Sequence, residues 1–205
     1  LGAEISGEQG YELAKICALN ALAALALARS AGLPMNMLLH GLRDYHGEPH
    51  RVQSVSIVSN VEYVDDSKGT NVGATVAALN GLGISAAGKR IWLIAGGDGK
   101  GQDFSPLREP ILRFVKGLIL IGKDAPLILA ALEDDFAKHD IDCVLAESLD
   151  LATQIASQRA RAGDIVLLSP ACASFDQFRD FEARGDAFRA AVNAMAADPA
   201  GSPDA

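Results

Sequence analysis

Two short runs in this 205-residue chain, Ile91-Trp92-Leu93-Ile94-Ala95 and Gly117-Leu118-Ile119-Leu120-Ile121-Gly122, are apolar throughout and not merely at alternate positions. A strand with one face in water alternates. A strand that is apolar on both faces needs cover on both sides, which is the situation of a parallel sheet between two helical layers. Helix-like segments follow each run, at 107–114 and 125–136. The alternation continues with a strand at 142–145, a helix at 149–161, a strand at 164–170 and a closing helix at 185–196. Upstream, the β-rich segments 52–58 and 61–64 are separated by Ser59-Asn60 and read as a hairpin, followed by a helix at 72–82. The expected fold class is α/β, a mainly parallel sheet with helices on both faces.

The amino-terminal part has a different character. Residues 11–31 are rich in Ala and Leu and read as one helix stopped by Gly32-Leu33-Pro34, and 35–45 read as a second. Gly47-Glu48-Pro49-His50 is a turn or linker, so the expected division is 1–48, then a domain over 49–197. The Pro, Gly, Ser and Asp of 198–205 are expected to form a disordered tail. The chain opens at Leu1, not Met, and is expected to be part of a longer protein. No internal repeat is evident.

A net charge of −8 and the absence of a basic patch argue against nucleic acid or a lipid surface as partner. An anionic ligand would have to be held by local Lys and Arg. The apolar stretch 16–28 is too short to span a bilayer. Cys17, Cys143 and Cys172 show no CxxC spacing, which fits a reducing compartment, and Cys172 reads as structural. No His, Asp or Glu spacing makes a metal cage. The pair His50-Arg51 reads as surface.

Ligands of parallel sheets sit beyond the carboxyl ends of the strands, and three polar loops fall there. Asp65-Asp66-Ser67-Lys68-Gly69-Thr70-Asn71 runs from a strand into a helix. It is either a charged turn in which Ser67 or Thr70 caps the helix, or a site where a carboxylate grips ribose hydroxyls and Lys68 meets an anion. Gly96-Gly97-Asp98-Gly99-Lys100-Gly101 is not a nucleotide P-loop, because Ile94 and Gly101 stand where that motif needs Gly and Ser or Thr. It is either a plain glycine turn or a place where backbone approaches a ligand and Lys100 supplies a charge. Ser169-Pro170-Ala171-Cys172-Ala173-Ser174 runs on to Gln177, and Ser174 with Gln177 has capping-box spacing.

Taken together these segments resemble the carboxy-terminal part of the Mur ligase family, most nearly its D-glutamate-adding branch. The resemblance rests on Leu19-Asn20-Ala21-Leu22 with the Ala-rich run after it, Pro49-His50-Arg51, Asp65 through Thr75, Ala78-Leu79-Asn80-Gly81, Gly96 through Lys100 with Asp103-Phe104, and Leu168 through Phe178 with Phe181, Arg184 and Gly185. The family pattern departs at one place: its usual Gly-x-His-Asn shortly before the Asn20 position is not matched by Ile16-Cys17.

The resemblance implies a Rossmann-like carboxy-terminal domain at 49–197, preceded over 1–48 by the helical end of a central ATP-binding domain. It implies an ATP-dependent, ADP-forming ligase that adds D-glutamate to UDP-N-acetylmuramoyl-L-alanine through an acyl phosphate, in peptidoglycan precursor synthesis in the cytoplasm. The expected protein is a monomer, and its Mg2+ ligands are expected in the portion outside this chain, which would be inactive alone. By motif, Asn20, Arg51 and Asp66 are expected to contact the nucleotide. Lys68, Thr70, Lys100, Ser174, Phe175 and Phe181 are expected to form the D-glutamate pocket, with Lys68 and Lys100 as the catalytic charges. A substrate with two carboxylates suits two cations and two hydroxyls. The alternatives are another glutamate-adding ligase, of the folylpolyglutamate synthase kind, and a non-enzymatic module that binds an amino acid or nucleotide.

Overall fold

The computed structural model of the chain describes residues 22–44, 47–85 and 90–197. The chain divides into two compact units, between Gly47 and Glu48. In the first, residues 22–30 are helical (α1) and Met35–Asp44 form α2. The rest of the helix expected over 11–31 lies outside the described residues, as does the tail 198–205.

The second unit holds a six-stranded sheet. Its strands are β1 (Gln53–Val58), β2 (Val61–Asp65), β3 (Ile91–Gly96), β4 (Val115–Ile121), β5 (Asp142–Leu145) and β6 (Ile165–Leu168), in the spatial order β1-β2-β6-β3-β4-β5. β1 and β2 pair antiparallel as the expected hairpin, and every other pairing is parallel. The helices are α3 (Val72–Ser85), α4 (Arg108–Phe114), α5 (Ala125–His139), α6 (Leu149–Arg159) and α7 (Phe181–Ala197), with a 3-10 turn at Ser105–Leu107.

The apolar runs behave as their composition requires, and all six residues of β3 are buried. Its alternate side chains enter different cores. Leu93 and Ala95 join Leu118, Leu120 and Leu167 beneath Leu79 of α3, Ile111 of α4 and Ile128 of α5. Trp92 and Ile94 join Ile119, Ile121 and Val166 beneath Ala152 of α6 and Phe188 of α7. A helix layer on each face is what a parallel sheet needs, and the expected architecture is present.

The parallel strands all end at one edge, and β2, β6 and β3 are neighbours there. Their three following loops, 66–71, 169–180 and 97–104, therefore lie side by side although far apart in sequence. At the opposite edge the buried Asp164 accepts from Trp92 Nε1 (3.2 Å), Lys116 Nζ (2.8 Å) and the Arg161 N–H (2.8 Å).

Two capping expectations are corrected. α3 is capped by Asn71, whose Oδ1 accepts from the Ala74 N–H at 3.0 Å, and not by Ser67 or Thr70. α7 begins at Phe181, four residues before the expected start, because Asp180 Oδ1 accepts from the Ala183 N–H at 2.7 Å. Ser174 and Gln177 sit in the turns ahead of it, with the Gln177 and Phe178 N–H groups both donating to the Ser174 carbonyl.

Candidate functional site

The β2–α3 loop carries its polar groups in two directions. Asp66 points inward and is 4% exposed. Its Oδ2 accepts from Ser169 Oγ at 2.7 Å and its Oδ1 from the Val52 N–H at 3.2 Å. Ser169 Oγ in turn lies 3.0 Å from Thr75 Oγ1 on α3. Burial raises the Asp66 carboxyl above its ordinary value, against the lowering effect of the Ser169 hydroxyl, the Val52 N–H and the nearby Arg51 charge. Lys68 points the other way. It is half-buried, with its ammonium 5.5 Å from the centre of the Phe181 ring.

The β3 loop and the β6 loop are joined as a two-residue antiparallel bridge between Asp98 and Ala173. Gln102 holds the same junction: Nε2 donates to the Gly99 carbonyl (2.9 Å) and the Ala171 carbonyl (3.3 Å), and Oε1 accepts from the Val72 N–H at the start of α3 (3.0 Å). Beyond the bridge, the Lys100 ammonium lies 5.4 Å from the Phe175 ring centre. Lys100 and Phe175 are both exposed, and Ser174 between the bridge and Phe175 is buried.

Arg184, one turn into α7, is buried to 1% exposure. Its Nε donates to Ser67 Oγ (3.0 Å), Nη2 to the Ser67 carbonyl (2.9 Å) and Nη1 to the Cys172 carbonyl (3.1 Å). Burial lowers its pKa to about 10, so it remains a cation at neutral pH. Burying an ion costs several kcal/mol after relaxation. Hydrogen bonds involving a charged group return roughly 1.5–3 kcal/mol each, so three of them can offset that cost. The Cys172 thiol is pushed up to about 12 by burial, in keeping with a structural cysteine and not a nucleophile.

His50 departs from its expected surface position. It is 6% exposed, its Nδ1 is 2.7 Å from Asp65 Oδ2, and its ring meets Phe181 edge-on. Arg189 Nε reaches the same Asp65 oxygen at 3.1 Å, and Arg189 also bonds Gln53.

The expected residues thus form two lysine–aromatic pairs, Lys68 with Phe181 and Lys100 with Phe175, on adjoining loops. Thr70 is half-buried on the Lys68 loop, and Ser174 is buried on the Phe175 loop. Arg51 is exposed on the turn before β1, where its charge acts on Asp66. Asn20 lies outside the described residues. Ser169, Thr75, Gln102 and the role of Arg184 were not anticipated, since each acts on a residue remote in sequence. A groove of about 520 Å3 beside α4 is lined by Arg108 and Arg113, already engaged with Asp135 and Glu109. Among the described residues no group of three or more His, Cys, Asp or Glu could hold a metal ion. No described helix is long and apolar enough to cross a membrane.

The family model for the "Mur ligase, glutamate ligase domain" matches residues 50–172, more than half the chain. The chain belongs to the Mur ligase family. Among Mur ligase relatives, the UDP-N-acetylmuramoylalanine–D-glutamate ligase of Ralstonia nicotianae is 59% identical over 181 residues, covering 88% of this chain and 34% of that protein. The corresponding ligase of Paraburkholderia xenovorans is 55% identical with the same coverage. The chain therefore spans about a third of the length of the curated relatives it matches. Solved structures share the fold. The UDP-N-acetylmuramate-alanine ligase MurC of Thermotoga maritima has a TM-score of 0.60 at 16% identity, over 87% of this chain and 38% of that one. E. coli FolC in complex with ADP has a TM-score of 0.61 at 19% identity, over 89% and 40%.

Proposed function

We propose that this chain is the carboxy-terminal part of an ATP-dependent, ADP-forming ligase that joins D-glutamate to UDP-N-acetylmuramoyl-L-alanine in the cytoplasmic synthesis of peptidoglycan precursor. The observation that carries the reading is the pair of lysines, Lys68 and Lys100, each held over an aromatic ring on adjoining loops at the carboxyl edge of the sheet. The identity of 59% to a ligase of that name supports it over the folylpolyglutamate synthase alternative, which has only a likeness of fold. It also favours an enzyme over a simple binding module.

In the proposed reaction the muramoyl-alanine carboxylate takes the γ-phosphoryl group of ATP and becomes an acyl phosphate, releasing ADP. The amine of D-glutamate attacks the acyl carbon. The tetrahedral intermediate expels phosphate, and the nitrogen loses a proton as the amide forms. No nucleophile is required of the protein. This chain's share is positioning, a contribution that reaches about 7–11 kcal/mol in well-oriented systems.

Lys68 and Lys100 bind the two carboxylates of D-glutamate, with the Thr70 and Ser174 hydroxyls and backbone N–H groups near Phe175 as further donors. Phe175 and Phe181 restrict where the ammonium groups can lie. Arg51 faces the nucleotide phosphates or ribose. Asp66 accepts from the ribose through whatever capacity Ser169 and Val52 leave free. Magnesium is assigned to the portion of the protein outside this chain, and the third nucleotide contact to Asn20 of this chain. The isolated chain is expected to be inactive and the whole protein monomeric.

The test is phosphate release by the full-length gene product with UDP-N-acetylmuramoyl-L-alanine, ATP and D-glutamate. Release that needs the D isomer is the expected result. Release with neither isomer from folded protein rejects the ligase reading.

A further inference from the structure

The geometry points to Arg184 as a positioning residue for the amino-acid pocket: its buried guanidinium holds the Lys68 loop and the Ser174 loop in register from the first turns of α7. The inference rests on the ligase reading for its kinetic consequences, though not for its structural ones.

Three facts distinguish Arg184 from an ordinary buried ion. Its hydrogen bonds go to one hydroxyl and two carbonyls, not to a carboxylate, so the charge is not there to complete an ion pair. All three acceptors lie on the two ligand-edge loops and none on the helical layer that covers the sheet. The acceptors are also next to the functional side chains. Ser67 immediately precedes Lys68, and Cys172 lies two residues before Ser174.

The Ser67 hydroxyl accepts from Arg184 Nε and donates to the Phe181 carbonyl at 2.8 Å, closing a ring of contacts through α7. Phe181 is the residue whose ring the Lys68 ammonium faces. Arg184 is three residues further along the same helix, so one helical turn carries both the ring beneath the lysine and the guanidinium that fixes the lysine's backbone. The planar fork of arginine is suited to three acceptors in different directions. A lysine in its place offers one ammonium centre and cannot span the Ser67 and Cys172 carbonyls together.

Removing the fork leaves two loop carbonyls unsatisfied and unties Ser67 from Cys172, so that, of the contacts described above, only the Asp66–Ser169 side-chain contact still holds the 66–71 loop to the 169–180 loop. The predicted loss falls on D-glutamate binding, because the pocket's cations and hydroxyls sit on these two loops. The UDP-sugar, for which no contact is placed on these two loops, is affected less.

The experiment uses the full-length protein with isotopically labelled lysine and the variants Arg184→Lys, Arg184→Ala, Phe181→Leu and Phe188→Leu. Phe181→Leu identifies the Lys68 ε-methylene resonance by removing the ring-current shift. Phe188, buried on the same helix with its ring against Tyr63 of β2, makes no contact with Lys68 or Arg184's acceptors and serves as the control for simple loss of stability. In the unaltered protein the Lys68 resonance is expected upfield of the other lysines, and in Arg184→Lys it returns toward them. Arg184→Lys is expected to raise the KM for D-glutamate roughly tenfold or more, with little change in the KM for the UDP-sugar. Guanidinium ion at millimolar concentration is expected to restore part of the loss in Arg184→Ala but not in Phe188→Leu. A Lys68 resonance unshifted in the unaltered protein, or unchanged in Arg184→Lys, overturns the inference. So does a KM rise in Phe188→Leu matching that in Arg184→Lys at equal stability, or a failure of guanidinium to restore anything. If the unaltered protein releases no phosphate, the ligase reading falls, and the lysine resonance still decides the role of Arg184.

Discussion

Asp98 and Ala173 exchange backbone hydrogen bonds in both directions, at 3.0 and 2.9 Å, and so join two loops that are 75 residues apart in sequence. The join requires close backbone approach at Gly97. A Cβ there would lie 2.3 Å from the Ala173 carbonyl oxygen, and Gly97 has φ of +130°. Gly97→Ala is therefore predicted to lose about 2–4 kcal/mol of stability, from backbone strain and overpacking together. Denaturant unfolding checks this, and a midpoint equal to that of the parent would mean that the loops are not packed as described.

Gly185 presents the opposite of the usual helix rule. Glycine to alanine inside an exposed helix gains roughly 1 kcal/mol. Here the added Cβ would lie 2.1 Å from His50 Nδ1 and 3.0 Å from Asp65 Oδ2. Gly185→Ala is predicted to displace His50 from its 2.7 Å contact with Asp65 and to lower stability by about 2 kcal/mol, in spite of the propensity gain. A rise in melting temperature would contradict the buried placement of His50.

Asp66 gives a pH-dependent prediction. Its folded-state pKa is raised above the ordinary 3.8, chiefly by burial. The folded protein then holds this proton to higher pH than the unfolded chain does. The stability Asp66 contributes is greatest below the ordinary value and is lost as pH rises through the raised one. Asp66→Asn removes the titration. Its stability relative to the parent should therefore improve from about pH 4 to about pH 7. Unfolding at the two pH values provides the measurement, and a difference independent of pH is the contrary outcome.

The fold was legible because its signals are local. Runs such as 91–95 and 117–121 are apolar on both faces, and only a sheet covered on both sides buries them. The hairpin could be read from Ser59-Asn60, which adopt positive φ values of 49° and 60° at the turn between β1 and β2. The caps were less legible. Ser, Thr, Asn and Asp stand close together at both helix starts, and spacing alone did not choose Asn71 over Thr70, or Asp180 over Ser174. Only the backbone conformation decides which oxygen faces the free N–H groups.

The site was legible as three loops and not as a network. Strand order placed 66–71, 97–104 and 169–180 together, and the resemblance supplied residue types for the pocket. The pairings depend on contacts between residues far apart in sequence. Arg184 bonds Ser67 across 117 positions and Ser169 bonds Asp66 across 103, and neither pair has a spacing rule. His50 was misread as surface for the same reason: its partner Asp65 is on a strand and its cover, Gly185, is on the last helix.

The most direct test of the account is saturation kinetics for D-glutamate on full-length protein carrying Lys68→Ala or Lys100→Ala. The account predicts that each raises the KM for D-glutamate about 10- to 100-fold, as expected for loss of a charge-assisted contact, with the KM for ATP little changed. An unchanged KM for D-glutamate in both variants, in protein that is folded and active, would contradict the assignment of this edge as the amino-acid site.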